Sequence, residues 1–172
     1  GFELTTLADI PSEGSGLGSS SCLTVGLLNA LYAYQGRQVA VETLAAQACE
    51  IEIERCKKPG GRQDQYIAAY GGFQYIEFLS DETVKVSPIL CPTAKLTTLE
   101  SNLLLFYTGK TRHAGKILSR VKSGMRTMRP QLRRIKFFAD ETRRQLQQGR
   151  IADFGRLLHE AWLAKRSSSS RI

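Results

Sequence analysis

The chain has 172 residues, 24 lysines and arginines against 16 acids (net charge +8), and 42% apolar side chains, enough for one domain or two small ones. No stretch of about 18 uncharged apolar residues occurs, which excludes a membrane-spanning helix. The four cysteines, Cys22, Cys49, Cys56 and Cys91, show neither CxxC nor Cys/His metal spacing and read as reduced, mostly buried thiols of a cytoplasmic protein.

Residues 2–9 read as a strand. It leads into a segment, residues 11–22, where Gly14, Gly16 and Gly18 alternate and run straight into Ser19, Ser20 and Ser21. Leu23, Leu27, Leu28 and Leu31 then recur at helical spacing, predicting a helix from Ser19 to Tyr34 that Gly36 stops. Glycine permits positive φ and close approach of backbone to ligand. Free N–H groups at the helix start, reinforced by the helix dipole, form a seat for phosphate, so a nucleoside triphosphate is the ligand such a turn suits. By itself such a turn is also an ordinary strand-to-helix connection. No Gly-Lys-Ser/Thr closes it as in a Walker A loop, and the Gly-x-Gly-x-Gly spacing is not the dinucleotide fingerprint.

A second helix is predicted over Val41–Cys56. Within it Glu50 and Glu54 share a face, and a solvated surface accounts for Glu50 and Glu52 without any chemistry. Next come Gly60-Gly61-Arg62-Gln63 and Asp64, an acid placed before an apolar stretch. Asp64 can cap a helix, or it can accept a proton from a hydroxyl with Arg62 nearby to keep it ionised. Glu54, ten positions upstream, stands at a useful distance from it. Residues 73–78 and 83–90 alternate as antiparallel strands around a turn at 80–82. Pro88 and Pro92 mark a passage to a second domain, and Leu103–Tyr107 reads as a short, fully buried strand ending at Thr108-Gly109. Helices follow with breaks near Pro130 and Gln148-Gly149. In the last of them Phe154, Leu157, Leu158, Ala161 and Trp162 make one apolar face, which is core packing.

Five segments carry a resemblance. The Gly-Leu-Gly-Ser-Ser turn at 16–20 is similar to the second signature of the GHMP kinases. Cys-Glu-Ile-Glu-Ile at 49–53, Gly-Arg-Gln-Asp-Gln-Tyr-Ile-Ala-Ala-Tyr-Gly-Gly at 61–72, Leu-Leu-Leu-Phe-Tyr-Thr-Gly-Lys-Thr-Arg at 103–112 and His-Glu-Ala-Trp-Leu-Ala-Lys-Arg at 159–166 resemble the D-glycero-D-manno-heptose 7-phosphate kinases within that superfamily. The resemblance implies an α+β fold: residues 1–92 from the ribosomal-S5-like amino-terminal, ATP-binding domain and 93–172 from the start of the helical, ferredoxin-like carboxy-terminal domain. It further implies a central fragment, since the family's first signature and its late Gly-x-Gly-Gly-Gly-Gly loop do not occur in these 172 residues.

The function implied is ATP-dependent phosphorylation of the anomeric hydroxyl of a heptose 7-phosphate, with Mg2+ as cofactor. Gly14, Ser15, Gly16, Leu17, Gly18 and Ser19 would cradle the nucleotide phosphates, and Ser20 would reach both magnesium and the transferred phosphate. Glu54 corresponds to the magnesium carboxylate and Asp64 to the acid that orients or deprotonates the hydroxyl. Arg112, Lys165 and Arg166 are candidates for holding the sugar's phosphate. Where related kinases carry Leu-Gly-Lys-Pro-Ile-Gly-Lys between the two acids, this chain reads Arg55-Cys56-Lys57-Lys58-Pro59-Gly60-Gly61-Arg62. Other readings remain: another GHMP small-molecule kinase, or a catalytically incomplete nucleotide-binding fragment. A homodimer is one option for assembly.

Charge is uneven. Residues 1–100 hold 7 basic and 12 acidic side chains, and residues 101–172 hold 17 and 4. Arg126, Arg129, Arg133, Lys136, Arg143 and Arg144 lie around polar helix faces without interleaved aromatics, so a solvated surface is expected rather than a nucleic-acid interface. His113 and His159 lack partners at metal-ligand spacing, and His159 is expected to pack on its own helix.

Overall fold

The computed structural model describes residues 3–7, 9, 16–109 and 128–167, which form two compact units. The first takes the described residues up to Gly72, with Thr108 and Gly109; the second takes Phe73–Tyr107 and residues 128–167. This partition differs from a break at Pro92.

In the first unit α1 (Ser19–Tyr34), α2 (Val41–Cys49) and α3 (Gln63–Tyr70) pack against one another. The end of α1 is fixed by Gly36 at φ 68, whose N–H reaches Ala33 O at 2.9 Å while Arg37 N reaches Tyr32 O at 2.9 Å. A left-handed glycine there satisfies carbonyls that the helix cannot. Along α2 the buried residues are Leu44, Ala45, Ala48 and Cys49, recurring every three or four positions. The helix then widens into a π-helical turn over Glu50–Arg55. In α1 the buried residues are Ser21 and Val25, whereas Leu23 is half exposed. The inward side of α1 is therefore polar at its first turn, where Ser21 faces a carboxylate described below, and apolar one turn later at Val25.

The second unit pairs β1 (Gln74–Phe78) with β2 (Val84–Pro88), antiparallel, in register from Gln74↔Pro88 to Phe78↔Val84. Its turn is held by Asp81 Oδ1, which accepts from Thr83 N (3.1 Å) and Thr83 Oγ1 (2.6 Å). Among the described residues three helices follow: α4 (Thr93–Ser101), α5 (Arg129–Gln147) and α6 (Ala152–Ser167), of which α5 and α6 pack together. Pro130 opens α5 in its first turn, where a missing N–H costs nothing. Gly149, at φ 69, closes it, with Arg150 N bonded to Gln145 O at 2.9 Å. Leu99, Leu146, Leu157 and Ala164 are buried. The Tyr75 hydroxyl donates to Asp140, and the Arg143 guanidinium lies 4.2 Å from the Tyr75 ring centroid.

Several expectations are corrected. Residues 3–7 and 9 form no strand, and Leu7 is 94% exposed. Leu103–Tyr107 is not a buried strand either, with Leu105 87% exposed. A strand exists only by pairing, and among the described residues the sheet contains β1 and β2 alone. On α6 Leu157 is buried while Leu158 and Trp162 are about half exposed, so the inward face is narrower than the apolar pattern. His159 packs beside Trp162, ring centroids 5.9 Å apart. Of the four free thiols only Cys49 is buried; Cys22 and Cys56 are exposed. Arg129, Arg133 and Lys136 are exposed on α5, as a solvated face requires. No described helix is long and apolar enough to cross a membrane.

Candidate active site

Gly18 is the pivot. It precedes α1 with φ 70 and ψ 16, a left-handed conformation that strains any residue with a Cβ. Its N-terminal neighbour Gly16 is likewise left-handed, at φ 75. A Cβ built on Gly18 would lie 3.6 Å from Asp64 Cγ and 3.8 Å from Asp64 Oδ2. The acid at the start of α3 thus stands directly against the glycine turn at the start of α1. Both helix starts open toward the same place because α1 and α3 pack side by side. Asp64 itself is exposed, so its carboxylate is available to a ligand.

Beneath this pair lies Glu52, with a side chain only 6% exposed. It continues the inward row of α2, three residues beyond Cys49 and four beyond Ala48. Ser20 Oγ donates to its Oε1, Ser21 Oγ to its Oε2 at 2.8 Å, and Gln65 Nε2 to Oε2. The Thr24 hydroxyl lies 3.2 Å from Oε1 and 3.0 Å from Ser20 O. Burial pushes the Glu52 carboxyl up, but the hydrogen bonds from Ser20, Ser21, Gln65 and Thr24 outweigh it and hold the group below the usual carboxylate range. Donors from α1 and α3 therefore keep a negative charge ionised inside the first unit. Lys58 supplies the positive one: its Nζ donates to Ser20 Oγ at 2.9 Å and lies 3.9 Å from Glu52 Oε1.

The lysine is aimed by the end of the π turn. Cys56 N bonds to Ile51 O at 2.8 Å and Lys58 N to Glu52 O at 2.9 Å, with Lys57 left-handed at φ 52 between them. A non-glycine residue held there costs on the order of 1 kcal/mol, which the two bonds offset. Cys49 lies under the same turn, 4.0 Å from Arg62 O, and burial raises its thiol to about 11.

Glu54 is not beside Ser20. It is exposed, and the carboxylate that meets Ser20 is Glu52, whose expected place on a solvated face is corrected by its burial. Glu50 is paired at the surface with Arg55, 2.6 Å away. Of the expected phosphate-cradling residues, Gly16, Leu17, Gly18, Ser19 and Ser20 form the turn and first residues of α1, while Gly14 and Ser15 lie outside the described residues. Arg112 and His113 also lie outside them. Lys165 and Arg166 stand exposed in the last turn of α6 in the second unit, with the Arg166 guanidinium 4.4 Å from the Trp162 ring centroid. Sequence reading passed over Ser21, Thr24, Glu52, Lys58 and Gln65. For Glu52 a signal existed, since 44, 45, 48, 49 and 52 form one continuous helical row.

Among the described residues no three His, Cys, Asp or Glu side chains converge as a self-sufficient metal cluster. The oxygen pair of Ser20 and Glu52 fits a different design, in which a hard divalent ion takes one or two protein oxygens and completes its shell with phosphate and water.

Comparison with known proteins agrees with this geometry. Residues 1–72 match the family described as GHMP kinases N terminal domain. The chain is 33% identical over 173 residues to the D-glycero-alpha-D-manno-heptose 7-phosphate kinase of Campylobacter jejuni, covering 99% of this chain and 51% of that protein. It is 31% identical over 170 residues to the L-fucokinase/L-fucose-1-P guanylyltransferase of Bacteroides fragilis, covering 94% of this chain and 18% of that one. Its fold matches the crystal structure of a D-glycero-D-manno-heptose 1-phosphate kinase from Bacteriodes thetaiotaomicron with a TM-score of 0.77, at 33% identity, over 92% of this chain and 46% of that one. The chain spans about half the length of the heptose phosphate kinases it matches. The match over residues 1–72 gives that part of the chain the character of a GHMP kinase N-terminal domain, and over nearly its whole length the chain is similar to sugar kinases in both sequence and fold.

Proposed function

We propose that these residues belong to an ATP-dependent sugar kinase that transfers the γ-phosphoryl group to the anomeric hydroxyl of a heptose 7-phosphate. The supporting observation is the approach of Asp64 to Gly18, which puts a carboxylate where the terminal phosphate would meet an acceptor. Backbone N–H groups of Gly18 and Ser19 at the α1 start hold the phosphates. Asp64 orients the attacking hydroxyl and takes its proton. Ser20 and Glu52, rather than Glu54, hold magnesium. The bound ion would neutralise charge on the phosphoryl oxygens, and the rest of the rate comes from in-line positioning. Gln65, Ser21 and Thr24 keep the Glu52 carboxylate charged and fixed in direction.

Acceptor identity rests on the two heptose kinases, and a free 6-deoxyhexose is the alternative that the fucokinase relative introduces. ADP release is therefore measured with heptose 7-phosphate, heptose 1-phosphate, L-fucose and mevalonate, with and without magnesium. Turnover with heptose 7-phosphate, and its loss by about three orders of magnitude in Asp64→Asn, is the expected result for removing a general base. Undiminished turnover in that variant, or transfer to none of the four acceptors, refutes the proposal. Phosphorus NMR of the product separates the anomeric position from any other.

A further inference from the structure

Lys58 occupies a position that no sequence pattern assigned to it. Its ammonium bridges Ser20 Oγ and Glu52 Oε1, at 2.9 and 3.9 Å, the same two groups that the proposed function gives to a divalent cation. Its backbone is pinned to Glu52 itself, through Lys58 N to Glu52 O, and the left-handed Lys57 turns the chain so that the next side chain reaches back over the carboxylate. The anchor is rigid but the tip is not enclosed, since the side chain is 58% exposed against 6% for its partner. A buried carboxylate kept ionised by neutral donors needs a cation close by. Three donors on a flexible four-carbon stem suit a removable one.

We infer that Lys58 is a resident counter-ion of the Ser20–Glu52 seat, holding it closed to other charges until a divalent cation displaces the ammonium. The inference rests on Ser20 and Glu52 being that cation's ligands. Two consequences distinguish it from an ordinary surface ion pair. The lysine and the metal compete for the same oxygens, so removing the lysine strengthens metal binding, and the gain depends on Glu52. Lys57, one position away and carrying the same charge, is exposed and does not lie on the seat, so its removal changes little.

The test is binding of Mn2+ alone, without nucleotide, followed by electron paramagnetic resonance of the free ion in wild type, Lys58→Gln, Lys57→Gln, Glu52→Gln and the Lys58→Gln/Glu52→Gln double variant. Lys58→Gln is expected to tighten Mn2+ by about fivefold, the gain from losing a half-exposed charged competitor. Lys57→Gln is expected to match wild type, and both proteins with Glu52→Gln to lose the site. Unchanged or weaker Mn2+ binding in Lys58→Gln, or an equal gain in Lys57→Gln, overturns the inference while leaving the seat intact. Binding indifferent to Glu52→Gln, or none in any protein, overturns the seat and this inference together.

Discussion

Replacing Glu52 separates its charge from its hydrogen bonds, and the two replacements Gln and Leu are expected to behave differently. In Glu52→Leu the buried Ser21 hydroxyl and Gln65 amide lose their acceptor. The Ser20 hydroxyl loses its acceptor too, since the Lys58 ammonium only donates to it, but Ser20 is part-buried. Thr24 keeps Ser20 O, so the buried donors orphaned are the two of Ser21 and Gln65. At about 1–2 kcal/mol each, the loss is about 2–4 kcal/mol. In Glu52→Gln one oxygen remains for Ser20, and the new amide N–H needs an acceptor. Gln65 Oε1 is buried and unpartnered in the native protein, so a flip of the Gln65 amide supplies one. The expected loss is then at most about 1 kcal/mol. Urea unfolding with a shared slope measures both. If Glu52→Gln costs as much as Glu52→Leu, or if both cost under about 0.5 kcal/mol, the account of Glu52 as a buried acceptor is wrong.

Gly18→Ala is expected to lose about 1 kcal/mol through left-handed strain, because its new methyl meets Asp64 only at ordinary contact distance. Adding Asp64→Ala should therefore not rescue it, and rescue in a double-mutant cycle would show a clash instead. Cys49, raised from 9.0 to about 11 by burial, should resist iodoacetamide at pH 8 while exposed Cys22 and Cys56 react; mass spectrometry of the native protein reads the order. Because its folded value lies above the unfolded one, its contribution to stability is complete below pH 9 and drains away between pH 9 and 11. A melting temperature that rises across that window contradicts the assignment. Tyr75→Phe removes the hydrogen bond to Asp140 but leaves a ring under Arg143, so a loss of about 0.5–1 kcal/mol is expected. A loss above about 3 kcal/mol would mean that the ring position itself had changed.

Local signals reached far in this chain. Gly36 and Gly149 end helices where expected, the alternating run through Phe78 and the turn at Asp81 give the hairpin, and Pro130 opens a helix. Features requiring a partner were not legible. Leu103–Tyr107 has the composition of a buried strand, but composition does not reveal whether a neighbouring strand exists. The carboxylate that meets Ser20 was not legible either, because sequence distance to Asp64 favours Glu54 over Glu52. The inward row of α2 decides it, and that row continues into Glu52 as the turn widens. Asp64 and Gly18 illustrate the opposite case: each was conspicuous alone, and only the packing of α1 on α3 brings them together.

The widened turn at Glu50–Arg55 bears on how this gene tolerates a lost codon. A π turn holds a surplus residue, so excising Ile53 or Glu54 allows the backbone to relax into a regular α-helix and leaves circular dichroism nearly unchanged. The residues beyond the turn would keep their direction, because the residue removed is the surplus that the wide turn had absorbed. Such a shortened protein would look intact by spectroscopy while losing the wide-turn bonds that tie Cys56 to Ile51 and Lys58 to Glu52.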